Sequence, residues 1–266
     1  MGFLQIGGNI PRVEPDIIFH VFGFPISNTF LGITLVLVLV IMFSYFVVRK
    51  FAITPRNHTQ TVVEMVYEGM EDLLAQVAGR RDVAVFLAPI VLGMFVFIAI
   101  ANLLSLIPIF NTITYDGVSI FRTPTADFNT TFAMAFVMII FIQVQSIIKG
   151  GFFAYLGKFF QFHEVYKGFK KGIGEGFMAI INFLIGLLDI ISEGARVVSL
   201  SLRLFGNIYA GEVLVVILLG AFAYLLPSVW ISLSILFGVV QAVVFGALSA
   251  AYYSISMPPP EGEAGS

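Results

Sequence analysis

Residues 177–224 read FMAIINFLIGLLDIISEGARVVSLSLRLFGNIYAGEVLVVILLGAFAY. The stretch contains no proline, and apolar residues continue past every charge, so it predicts one unbroken helix. At about 1.5 Å per residue that helix is roughly 70 Å long, more than twice the hydrocarbon thickness of a bilayer. It must tilt steeply, run along the membrane or break. Pro227 marks a turn, and a second apolar helix follows over 229–256, closed by Pro258, Pro259 and Pro260. Two long apolar helices joined by a short turn form an antiparallel hairpin spanning 177–256. The fold class predicted is an all-α integral membrane protein with five crossings, an interfacial amphipathic helix and a long, tilted C-terminal helical hairpin.

The rest of the chain agrees. Of its 266 residues 59% are hydrophobic and 11% charged, and the mean hydropathy is +0.99. A soluble domain carries roughly 25% charged residues, and so few charges cannot cover a soluble surface. No charge interrupts Pro25–Val48, Val83–Ile113 or Phe128–Ile148, and each run is long enough to span. The chain therefore reads as a single membrane domain. An outer lead (1–25) precedes the first span (26–48), an amphipathic surface helix (60–78), the second span (84–108) and the third (128–148). A lysine-rich segment (149–175), the hairpin and a tail (257–266) complete it. On the surface helix, Thr61 and Glu64 fit a capping box, and Val62, Val66, Met70, Leu73 and Val77 form one apolar stripe. Basic residues gather at 49–81 and 149–171, which places those segments inside, with the N-terminus outside and the C-terminus cytoplasmic. Arg12, Glu14 and Asp16 occupy the place of a leader's apolar run, so no cleaved leader is expected. The absence of cysteine excludes disulfides and thiolate metal sites. No metal, cofactor or nucleic-acid partner is expected; lipid is.

Charges inside the long helix carry the functional argument. A charge at the centre of a spanning helix costs roughly 2.5–3.5 kcal/mol on insertion scales, so such residues are functional by default. Asp189, Glu193 and Arg196 have the alternative of lying near an interface. Arg203 and Glu212 do not, because apolar sequence continues on both sides. At about 100° per residue, Asp189, Ser192, Arg196, Ser199, Arg203 and Asn207 fall within an arc of roughly 80°. Glu212 points to roughly the opposite side, about 13 Å further along the axis. One polar file thus approaches Arg203 from the inner side, and a second polar site lies beyond it on another face. On the last helix Ser234 and Gln241 share a face, with Gln241 able to bond near Arg203. Gly238, Ala242, Gly246 and Ala250 recur at four-residue steps, which lets another helix approach closely. Asp116, Asp127 and Asn102 form either an outer aqueous mouth or ordinary loop and helix-end polar groups. Residues alone leave three functions open: a ring-partnered rotary motor stator, an ion-coupled secondary transporter gated by Arg203 and Glu212, and a non-conducting scaffold.

The segment Ser199–Glu212, SLSLRLFGNIYAGE, resembles the signature of the a subunit of F-type ATP synthases. Pro124–Asn129 (PTADFN) is similar to that family's outer-loop motif, and Asn102–Pro108 (NLLSLIP) to the end of its second membrane helix. The resemblance implies a non-catalytic, ion-translocating subunit of the membrane sector. Its partners would be a ring of c subunits, each a helical hairpin with a membrane carboxylate, and peripheral-stalk b subunits. Arg203 would be the stator arginine. Asn207, Glu212 and Gln241 match polar positions of an outer half-channel, and Asp189, with Ser192 and Ser199 beside it, an acidic position of the inner one. Ser234 stands where relatives often place a titratable group. Two departures from the family pattern are Val197, where many relatives carry proline, and the length of the lysine-rich segment. A bacterial inner membrane is the expected location.

Overall fold

The computed structural model describes residues 13–49, 51–52, 58–105, 113–115, 118–159, 170, 173–221 and 225–257. Seven helices of eight residues or more dominate: α1 (Asn28–Arg49), α2 (His58–Ala78), α3 (Arg81–Ser105), α4 (Phe128–Gly150), α5 (Phe152–Phe159), α6 (Ile173–Ala221) and α7 (Leu225–Ser256). Five of them, α1, α3, α4, α6 and α7, are long and apolar enough to cross a membrane. The fold is an all-α, multi-pass membrane protein. Its outward side chains are largely Leu, Ile, Val and Phe, which suits contact with lipid. The helix expected over 177–224 is a continuous 49-residue α6.

The lead carries a short hairpin. Strands β1 (Ile17–Val21) and β2 (Phe24–Ser27) pair antiparallel. Phe22 and Gly23 turn between them with φ of 50° and 85°, the two left-handed residues of a type I′ hairpin turn. Ser27 then caps α1, its Oγ accepting from the Phe30 amide at 3.2 Å. The 113–127 loop adds a two-residue ladder, β3 (Thr114–Tyr115) with β4 (Val118–Ser119), and a 3-10 turn over Pro124–Ala126. Asp116 lies outside the described residues.

Contacts divide the chain into two units: Met1–Thr131 with Ser201–Ala250, and Phe132–Leu200 with Ala251–Ser266. In the first, α2 folds back on α3 after Gly79, whose φ of +70° ends α2. The packed face of α2 differs from the expected stripe. Gln60, Met70, Leu74 and Ala78 are buried, whereas Val62, Val66 and Val77 are exposed. Lipid tails are as apolar as valine, so burying those side chains against protein gains nothing. The start of α2 also differs. The helix begins by His58, so Thr61 lies inside it and does not cap. Gln60 acts there instead, exchanging two hydrogen bonds with the Ala52 backbone and donating to Glu64 Oε1 at 2.7 Å.

The small-residue row of α7 packs as its spacing predicts. Gly238, Ala242, Gly246 and Ala250 are all buried. A Cβ on Gly238 would lie 3.1 Å from Asn102 Cβ, and one on Gly246 would lie 2.6 Å from Val91 Cγ1. Both obstacles belong to α3, so α7 and α3 approach at glycine distance. In the second unit, Met138, Ile142, Val197, Leu200 and Tyr253 are buried. Gly151, with φ of +83°, ends α4 and its carbonyl accepts from the Tyr155 amide as α5 begins.

Candidate functional site

Arg203 projects outward from α6. It is exposed and has no hydrogen-bond or ion-pair partner among the described residues. Leu200, Ser201 and Leu204 beside it are buried, so its helix is anchored on one side while the guanidinium stays free on the other. Asn207, one turn on, is also exposed. Ser201 Oγ lies 3.4 Å from Thr131 Oγ1 at the start of α4. Phe205 packs edge-on to Phe128 at 5.9 Å and stacks with Tyr209. Within the motif SLSLRLFGNIY, Leu200, Ser201, Leu204 and Phe205 hold the helix, whereas Ser199, Leu202, Arg203 and Asn207 are exposed.

Glu212 is half-buried and engaged. Thr123 and the Arg122 guanidinium both lie within electrostatic range of its carboxylate. Arg122 is itself held by carbonyls: it donates to Glu14 at 2.7 Å, Val13 at 3.1 Å and Ala126 at 3.0 Å. Trp230 Nε1 donates to the Gly211 carbonyl at 3.3 Å, tying α7 to the turn of α6 that carries Glu212. Neither Thr123 nor Trp230 was singled out from sequence. Thr123 directly precedes the quoted PTADFN motif, and Trp230 is the single tryptophan of the chain.

The remaining residues are distributed as follows. Gln241 is buried with its Nε2 unpartnered, and no bond joins it to Arg203 among the described residues. Ser234 donates to the Trp230 carbonyl of its own helix at 2.9 Å. Asn102 is buried, donating to the Gly238 carbonyl and accepting from Thr125. Asp127 is buried and accepts from the Asn129 amide at 2.8 Å, the geometry of an N-cap on α4. In the second unit Asp189 is half-buried, and Ser192 and Ser199 are exposed. Arg196 pairs with Glu193 at 2.9 Å and lies over the Tyr252 ring. Among the described residues no group of three or more His, Cys, Asp or Glu is placed to hold a metal.

A sequence profile described as "ATP synthase A chain" matches residues 30–254. The chain belongs to that family. It is 31% identical to "ATP synthase subunit a" of Desulforamulus reducens, over 92% of this chain and 86% of that protein. It is 33% identical to the subunit a of Moorella thermoacetica, over 91% and 95%. It is also 29% identical to "ATP synthase subunit a, sodium ion specific" of Propionigenium modestum, over 87% and 74%. Membership fixes the class that the residues left open. The chain is a non-catalytic, ion-translocating membrane subunit of a rotary ATP synthase.

Proposed function

We propose that this chain is the proton-translocating stator of the F0 sector, offering two offset half-channels to a c-ring and separating them with Arg203. The observation that carries this reading is the outward, unpaired Arg203 on an unbroken helix, with Glu212 engaged on another face of that helix. A guanidinium stays protonated under essentially all conditions, which suits a fixed charge. A cation nearby favours the ionised form of a carboxylate. A ring carboxylate passing Arg203 releases its proton to the inner file of Ser199, Ser192 and Asp189. On the other side it takes a proton from the outer site, where Asn207, Glu212 and Gln241 stand. Ser234 cannot titrate, so Glu212 or water supplies that step. Only the neutral carboxylate moves easily through lipid. The fixed positive charge blocks direct passage between the half-channels, so transport requires rotation. A membrane potential supplies about 2.3 kcal/mol per charge per 100 mV.

The same reading places the chain in a bacterial inner membrane with its N-terminus outside, in a complex with the c-ring and peripheral-stalk b subunits. Asp127, Asp116 and Asn102 would lie at the outer mouth. The single domain runs through the segments drawn from the sequence. Arg203→Ala tests it directly. ATP synthesis driven by a proton gradient is lost in reconstituted vesicles while passive proton conduction rises. Full coupling in that variant overturns the proposal.

A further inference from the structure

The second unit contains a polar cluster that the stator scheme leaves unused. Gln143 sits with Gln145 and Ser146 in the last third of α4, and Tyr155 on α5 donates its hydroxyl to Gln143 Oε1 at 3.0 Å. Tyr155 also lies within electrostatic range of Glu193 on α6. Arg196 donates to Glu193 Oε1 at 2.9 Å and engages only that oxygen. Two buried atoms of the cluster have no hydrogen-bond partner among the described residues: Glu193 Oε2, an acceptor, and Gln143 Nε2, a donor.

An orphaned donor and an orphaned acceptor on either side of one phenol are the polar partners that a buried water needs. A carboxylate half-used by an arginine and left otherwise unsolvated is costly, and a water cures both deficits at once. Glu193 follows Asp189 by one helical turn, so the two carboxylates share a face about 6 Å apart along the axis. Lys149 ends α4 nearby in the chain, which by charge distribution marks the inner surface.

We propose that Gln143, Tyr155 and Glu193 enclose a water-binding site beside Asp189, within the inner half-channel. This rests on the half-channel reading above. A proton reaching the water passes to Glu193 Oε2, making the carboxylic acid. It then leaves to the inner solution, restoring the carboxylate.

The chain has no cysteine of its own, so one substituted thiol is unique within it. Silver ion is the probe, added to inverted vesicles carrying the whole synthase, because it blocks thiols only where water reaches them. Gln143→Cys is expected to lose proton pumping on silver addition by fivefold or more. Ile140→Cys, at an exposed apolar position of the same helix, is expected to keep it. If Gln143→Cys keeps pumping while Ser199→Cys is blocked, the water site is wrong and the half-channel stands. If neither is blocked, both fall. Should Gln143→Cys fail to assemble, Tyr155→Cys stands in for it, on the other side of the same water, with the same two outcomes.

Discussion

The Thr125 hydroxyl donates a 2.7 Å hydrogen bond to Asn102 Oδ1, and both side chains are buried. Asn102 Nδ2 in turn donates to the Gly238 carbonyl at 3.2 Å. One amide therefore joins the 113–127 loop, α3 and α7. Thr125→Val keeps the shape and removes the donor, leaving a buried carbonyl oxygen unsatisfied at a cost of about 1–3 kcal/mol. The midpoint of thermal unfolding of the solubilised complex should fall. An unchanged midpoint would show that the junction is held by packing alone.

Glycines separate into two kinds. A Cβ on Gly32 of α1 would collide with the Arg122 carbonyl oxygen, whereas one on Gly93 of α3 would meet nothing. Gly32→Ala should lower the amount of assembled complex several-fold, because a backbone atom and not a flexible side chain must move. Gly93→Ala should leave it within error. Immunoblotting of membranes against a second subunit reads both.

Glu212→Gln keeps the size of the side chain and removes its proton affinity. Proton uptake from the outer side should slow at least tenfold, with assembly intact, in a quenching assay on oriented vesicles. Normal rates would remove Glu212 from the pathway.

Thr123 lies within interaction range of that carboxylate. Thr123→Ala should slow outer-side uptake less than Glu212→Gln does, and Thr123→Ser, which restores the hydroxyl, should recover it. A Thr123→Ser variant as slow as Thr123→Ala would make the residue a packing element only.

Burial raises the Tyr155 hydroxyl above the ordinary tyrosine value, and the Glu193 carboxylate pushes it the same way. The folded value exceeds the unfolded value of about 10. Its stabilising contribution is therefore complete below about pH 10 and is lost as pH rises through the folded value. Wild type and Tyr155→Phe should show parallel stability curves from pH 7 to 9 and diverge only in stronger alkali, by chemical denaturation.

Much of this architecture was legible because lipid simplifies the code. Uninterrupted apolar runs gave the five spanning helices, and the proline-free stretch around Arg203 gave the long α6. The small-residue spacing of α7 foretold a close helix contact, though not that α3 would fill it. Lipid also hid things. The valine stripe of α2 was a poor guide to packing, since apolar side chains there gain nothing by turning inward, and the helix buries Gln60, Met70 and Leu74 instead. The hairpin of β1 and β2 was missed, because Phe22-Gly23 is not one of the usual hairpin-turn pairs. At the site, Arg203 and Glu212 stood out as charges without an excuse. Thr123 and Gln143 did not, because a neutral polar group shows its use only once its neighbours are placed.

Val197 is buried in the middle of α6, at the position where the family resemblance leads one to expect proline. Proline there would delete the amide that bonds to the carbonyl one turn back, at Glu193, and would soften the rod just below Arg203. Valine keeps the α6 rod intact over 49 residues. On the proposed stator reading, a rotor pushing sideways on Arg203 would meet a beam loaded across its length and not a hinge. For a motor that converts torque into work elsewhere, stiffness at the point of thrust limits how much of each step is dissipated as recoil.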